Sequence, residues 1–146
     1  MKIVIIGGVA AGASAAARLR RLDESSEILL LEKGEFISYA NCGLPYHLGK
    51  VIEDRDDLLV MSPEKFSAWL NVDVRTKHEV ISIDPVKKQL TAKTSKGEKV
   101  FSYDKLLLAP GAIPSRSGNL SDRIMPLWTI ADMDKVLARL SNAKIK

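Results

Sequence analysis

Apolar residues along this chain switch between short unbroken runs and helical spacing, with glycine, proline and small polar residues between them. Residues 2–6 (KIVII) predict a short buried strand, rich in β-branched side chains. Gly7 and Gly8 break it. Residues 10–22 predict a helix whose small-residue face, Ala11 and Ala15, runs on to Leu19 and Leu22. Residues 27–32 (EILLLE) predict a second buried strand. Strand, tight glycine turn, helix and strand within about 30 residues make a βαβ unit, and so a parallel pair with a right-handed crossover. Residues 33–41 read as a loop, and 42–49 as the start of a short helix. Ser62 and Pro63 form an N-cap with proline at the first helical position, and Phe66, Trp69 and Leu70 follow at i, i+3 and i+4. Strands are then predicted at 72–76, 79–84, 89–94 and 98–103, with a hairpin turn at Lys96 and Gly97. Residues 105–109 (KLLLA) predict another buried strand, stopped by Pro110 and Gly111 and followed by a polar loop. Thr129 with Asp132 is a capping box, opening a helix with Met133, Val136, Leu137 and Leu140 on one side. Both tryptophans, Trp69 and Trp128, read as core residues.

A βαβ start, an antiparallel meander and one returning buried strand amount to an incomplete doubly wound sheet. The expectation is that these 146 residues are the N-terminal part of a longer protein, a complete small domain being the alternative. The composition, 46% hydrophobic and 27% charged, is that of a globular chain. The net charge of +4 is spread along the sequence and only 5% of residues are aromatic, which argues against a nucleic-acid face. A single cysteine excludes an internal disulfide, and with only two histidines no metal site is expected. The uncharged stretch 3–17 resembles a signal-peptide core, but its glycines at 7, 8 and 12 suit a turn better. It also falls short of the roughly 20 apolar residues that span a membrane. The expectation is a soluble, cytoplasmic protein with no membrane partner.

Gly7-Gly8-Val9-Ala10-Ala11-Gly12 stands where a dinucleotide fingerprint belongs, between a strand and a helix. Gly7 permits the tight turn, Gly12 permits close packing of helix on strand, and the helix N-terminus offers N–H groups to a pyrophosphate. Val9 replaces the middle glycine of the pattern, tolerable only if its side chain points away from the phosphates. Glu32, at the end of the second strand, can accept hydrogen bonds from ribose hydroxyls and would repel a 2′-phosphate. FAD or NAD therefore fits better than NADP. The plainer alternative is a glycine turn beside an ordinary acidic strand end.

Cys42 lies in Ser38-Tyr39-Ala40-Asn41-Cys42-Gly43-Leu44-Pro45-Tyr46. A helix starting there would favour the reactive thiolate, whereas a buried structural cysteine is the inert alternative. The segments GGVAAG, LEK (31–33), SYANCGLPY (38–46), PEKF (63–66) and YDKLLLAPGA (103–112) together resemble the flavin domain of the pyridine nucleotide–disulfide oxidoreductases. Within that family they resemble the single-cysteine branch, closest to coenzyme A-disulfide and NADH-dependent persulfide reductases. The resemblance runs over essentially the whole chain. It implies an α/β, Rossmann-like FAD-binding domain of the glutathione-reductase type, a parallel sheet plus an antiparallel β-meander, incomplete in this chain. The NADH-binding and dimerisation domains are expected outside residues 1–146, in a full-length homodimer.

The resemblance implies an FAD-dependent enzyme, using NADH or NADPH, that reduces coenzyme A disulfide or a related disulfide or persulfide. Cys42 is its redox residue, facing the flavin. FAD contacts are implied at Gly7, Val9, Ala10, Ala11, Gly12, Glu32, Lys33, Val80, Ala109 and Gly111. Coenzyme A contacts are implied at Ser14, Arg18, Arg21, Ser38 and Asn41. The spacing of Ser14, Arg18 and Arg21 places them on one helix stripe, and arginine forks suit phosphates. A solvated basic face with local pairs such as Arg20 to Glu24 is the alternative. With no second cysteine, oxidised Cys42 must be a mixed disulfide with an outside thiol, a persulfide or a sulfenic acid. Two other functions stay open: an NADH oxidase or peroxidase working through a sulfenic acid, and a nucleotide-binding module without redox chemistry. The isolated chain is expected to be inactive.

Overall fold

Alternate side chains of the first two strands explain why this chain builds three layers. In the computed structural model, which describes residues 1–115 and 124–142, β1 (Lys2–Ile6) pairs in parallel with β2 (Glu27–Leu31). Ile3 and Ile5 of β1, with Ile28 and Leu30 of β2, enter one core with Ala13, Ala16, Ile37, Phe66 and Val72. Val4, Leu29 and Leu31 point the other way, into a second core with Leu90, Ala92, Phe101 and Tyr103. A strand apolar on both faces must be covered on both, and the chain supplies helices on one side and a meander on the other.

The helices of that unit are α1 (Ala10–Leu22) and α3 (Pro63–Leu70), separated in sequence by the five-residue α2 (Leu44–Leu48). Beyond them, β3 (Asp73–Arg75) and β7 (Lys105–Leu108) complete a parallel sheet of order β3-β2-β1-β7. The meander is β4 (Glu79–Asp84), β5 (Gln89–Thr94) and β6 (Gly97–Ser102), antiparallel throughout. By contact the chain divides into two compact units, Met1–Tyr39 with Leu59–Gly111 and Ala40–Leu58 with Ala112–Lys146. All seven strands of the described residues lie in the first. The second holds two 3-10 turns (Asn41–Gly43 and Arg55–Leu58), α2 and α4 (Ile130–Asn142), with Leu44, Leu58, Ile130 and Met133 buried.

Several sequence expectations need correction. The buried stripe of α1 is Gly12, Ala13, Ala16 and Arg20, whereas Ala11 and Leu22 are exposed. The cause is Gly12, which must abut the β1–α1 turn and so rotates the helix. Trp69 is 80% exposed and Trp128 43% exposed, so neither is core. On α3, Phe66 and Leu70 occupy the inward side instead. The hairpin loop is Ser95 and Lys96, with Gly97 (φ +108) opening β6. The helix expected from residue 42 begins only at Leu44, after the 3-10 turn. The Thr129 capping box is present: Asp132 N–H donates to Thr129 Oγ1, and Thr129 N–H and Oγ1–H donate to the Asp132 carboxylate. Of the polar loop predicted after Gly111, residues 116–123 lie outside the described residues.

Candidate functional site

The strand–turn–helix at the N-terminus closes so tightly that only glycine fits at two positions. Gly7 has φ +95, and a Cβ there would sit 2.0 Å from the Ala109 carbonyl oxygen. At Gly12 a Cβ would sit 1.7 Å from the Gly7 carbonyl oxygen. The turn is pinned by Gly7 N–H donating to Leu31 O (2.8 Å) and by Ala109 N–H donating to Ile6 O (2.8 Å). Val9 is the N-cap of α1 and makes no side-chain capping bond, and the first turn carries no acid. The positive end of α1 is therefore left without a side-chain acceptor, beside the exposed Ala10 and Ala11.

Glu32 follows β2 directly and is buried. Its Oε2 accepts Gly8 N–H (2.7 Å) and its Oε1 accepts Gly34 N–H (2.6 Å). Its backbone is fixed as well, by donation to Arg75 O (2.9 Å) and acceptance from His78 N–H (3.0 Å). A carboxylate oxygen has two acceptor sites, so each retains one for a ribose hydroxyl. Ser38 stands against the same turn: its N–H donates to Gly8 O (2.9 Å), and its left-handed backbone (φ 45) is held by Val60 N–H donating to Ser38 O (3.0 Å). Gly7, Gly8, Gly12, Glu32, Ser38 and Ala109 are thus brought together at the carboxyl ends of β1, β2 and β7. The residues fit a dinucleotide, with open N–H donors for its pyrophosphate and an oriented acid for its ribose.

The other candidates are less tightly gathered. Lys33 is exposed beside Glu32. Val80 is the second residue of β4 and packs on the second core, and Gly111 has φ +70. Ser14, Arg18 and Arg21 are all exposed on α1, and among the described residues neither arginine has an ion pair. Arg20 does not form the side-chain pair with Glu24 that the alternative reading supposes. It is buried and donates to five main-chain carbonyls, those of Leu70, Asp23, Glu24, Ser26 and Asn71. Gly8 and Gly34 were not singled out from the sequence as acid partners. Gly34, two residues after the acid, is within reach of a local reading, whereas Gly8 meets Glu32 only through the fold, 24 positions away.

In the second unit Cys42 occupies the middle of the Asn41–Gly43 turn and is exposed, which removes the buried-cysteine alternative. Gly43 N–H donates to Ala40 O (3.0 Å), and Ala40 N–H donates to Leu58 O (2.9 Å). The Asn41 amide nitrogen donates to Trp128 O (3.1 Å). His47 Nδ1 lies 2.8 Å from Ile52 O and so carries the hydrogen of that bond. Arg55 binds Asp134 through two parallel bonds, Nε to Oδ1 (3.0 Å) and a terminal nitrogen to Oδ2 (2.9 Å). This fork holds the Asp134 carboxyl below the usual carboxylate range, burial opposing it and the charges of Arg55 and His47 adding to it. Among the described residues no cluster of three His, Cys, Asp or Glu could hold a metal ion, and no helix is long and apolar enough to cross a membrane.

A model of the pyridine nucleotide-disulphide oxidoreductases matches residues 1–145. The chain belongs to that family. Members similar to it include the coenzyme A disulfide reductase of Staphylococcus aureus strain JH9, 44% identical over 137 residues, covering 92% of this chain and 31% of that protein. The solved structure of reduced Bacillus anthracis CoADR-RHD superposes with a TM-score of 0.93 at 42% identity, over 97% of this chain and 26% of that one. A NAD-dependent persulfide reductase from A. fulgidus gives a TM-score of 0.93 at 30% identity, over 98% of this chain and 28% of that one. The chain spans about a third of the length of the curated relatives it matches. The family resemblance read from GGVAAG and SYANCGLPY stands, and so does the Rossmann-like fold with its meander.

Proposed function

We propose that the chain supplies the FAD site and the redox thiol of an NADH- or NADPH-using reductase. Its substrate is coenzyme A disulfide or a related disulfide or persulfide. The observation that carries this reading is the state of Cys42. It is the only thiol, it is exposed, and it lies four residues after Ser38, itself hydrogen-bonded to the glycine turn of a dinucleotide site. The family assignment and the similarity to coenzyme A disulfide reductases support it.

Bound FAD supplies an electron pair, taken from the pyridine nucleotide, to the oxidised form of Cys42. The first-turn N–H groups of α1 hold the pyrophosphate, and Glu32 accepts from the ribose. The Cys42 thiolate attacks one sulfur of the disulfide, forming a mixed disulfide with half of the substrate and expelling the other half as a thiolate, which takes up a proton. Two electrons and a proton then cleave the mixed disulfide, releasing the second thiol and restoring the Cys42 thiolate. No second cysteine competes for the mixed disulfide. Arg18 and Arg21, exposed on α1 and without an ion pair among the described residues, bind the phosphates of the thiol, and Ser14, Ser38 and Asn41 are its further contacts. The pyridine nucleotide site and the homodimer interface belong to other parts of the enzyme, and this chain alone consumes no NADH.

The test uses the purified 146-residue chain. Mixed with FAD and passed through gel filtration, it carries flavin absorbance. Treated with coenzyme A disulfide, it gains the mass of one coenzyme A, released by dithiothreitol and absent in Cys42→Ser. Charge reversal at Arg18 and Arg21 slows that uptake. A chain that iodoacetamide alkylates but coenzyme A disulfide does not modify would sink the substrate reading. Conversion by peroxide alone, to a sulfenic acid, would favour the oxidase alternative.

A further inference from the structure

The turn that carries Cys42 is built on the Arg55–Leu58 turn. Ala40, before it, donates to Leu58 O (2.9 Å). Gly43, after it, leaves room for Leu58, whose Cδ2 would lie 2.5 Å from a Cβ at position 43. Leu58 is fully buried, so its position fixes the backbone on both sides of the thiol. At the opposite end of the same turn, Arg55 is clamped by both carboxylate oxygens of Asp134 on α4. Asn41, adjacent to Cys42, donates to Trp128 O, one residue before the Thr129 cap of the same helix. Two independent ties thus join the cysteine turn to α4. One runs through Asn41, and the other through Asp134, Arg55 and Leu58. A bidentate guanidinium–carboxylate pair sets direction as well as distance, which a lysine or an amide would not reproduce.

We infer that Asp134, acting through Arg55, is a positioning residue for Cys42, setting the orientation of the thiol for sulfur exchange. The inference rests on reading Cys42 as the reacting sulfur. Asp134 touches neither substrate nor cofactor in this role. It holds the platform under the turn.

Because the chain has one thiol, alkylation by iodoacetamide followed by mass spectrometry reads that group alone. Rates are measured on the full chain from neutral to alkaline pH. Asp134→Asn keeps the shape and loses the charge, and its rate departs from wild type by about threefold or more at neutral pH. Arg55→Lys keeps the charge and loses the fork, and it departs in the same direction. Asp134→Glu, which restores the ion pair, returns the rate at least halfway. Lys77→Gln, which breaks the Lys77–Glu35 pair in the other unit, leaves the profile unchanged while lowering melting slightly. Superimposed profiles for wild type, Asp134→Asn and Arg55→Lys would overturn the inference. So would a departure that tracks melting temperature across all four variants with no rescue by glutamate. Alkylation needs neither flavin nor disulfide. Failure of the redox reading, seen as no coenzyme A uptake, is therefore distinct from failure here.

Discussion

Arg20 offers a sharp test of how α1 is held. Its guanidinium spends all five N–H groups on carbonyls: Nε on Leu70 (2.8 Å), one terminal nitrogen on Asp23 (3.1 Å) and Glu24 (2.7 Å), the other on Ser26 (2.8 Å) and Asn71 (2.7 Å). Asp23, Glu24 and Ser26 join α1 to β2, and Leu70 and Asn71 join α3 to β3, so one side chain fastens two connections. Arg20→Met keeps much of the stem and deletes every donor. The Ser26 bond is buried, and losing it leaves a carbonyl unsatisfied at a cost of about 1–3 kcal/mol. The other four are part-buried, so water can replace the donors, and each forfeits only about 0.5–1 kcal/mol net. Removing a desolvated cation returns part of this. The balance is a loss of roughly 3 kcal/mol, or a melting temperature lower by about 10 °C for a chain of this size. Arg20→Lys, whose ammonium has three donors on a single nitrogen, falls between the two. The assay is urea unfolding followed by circular dichroism, with FAD retention on gel filtration alongside. An Arg20→Met chain within about 1 kcal/mol of wild type would refute the reasoning, because the five bonds would then be replaceable by solvent.

Gly12→Ala places a methyl group 1.7 Å from the Gly7 carbonyl oxygen, so α1 must back away from β1; loss of FAD binding and more than about 3 kcal/mol of stability are expected from titration of both. Glu32→Gln turns one carboxylate oxygen into a donor facing the N–H of Gly8 or Gly34, and should cost about 1–3 kcal/mol as well as weakening FAD binding, measured by flavin fluorescence. Asp23 lies well below the usual carboxylate range because the hydroxyls of Ser26 and Ser25, and then their N–H groups, donate to it. A depressed folded-state pKa gives stability that is present above the unfolded value, about 3.9, and lost as pH falls below it. The wild-type advantage over Asp23→Asn in urea midpoint should therefore hold at neutral pH and close under strong acid. An advantage that grew on acidification would contradict the assignment.

The chain's periodicity alone determined that β1 and β2 are buried on both faces, that a glycine turn joins strand to helix, and that Ser62 and Thr129 start helices. These are local facts, set by side-chain alternation, glycine's freedom at φ +95 and short-range capping bonds. The motifs also point to Glu32, Ser38 and Cys42 as candidate site residues. Tertiary structure decided what depends on residues distant in sequence. It turned α1 so that Gly12, and with it Arg20, faces inward, and it sent the Arg20 donors to Leu70 and Asn71, some fifty residues away. It also left Trp69 exposed, and it paired Arg55 with Asp134 across 79 positions of chain. Amphipathic spacing shows that a helix has an inner face. Which edge of that face lies deepest is settled only by the neighbour it packs against.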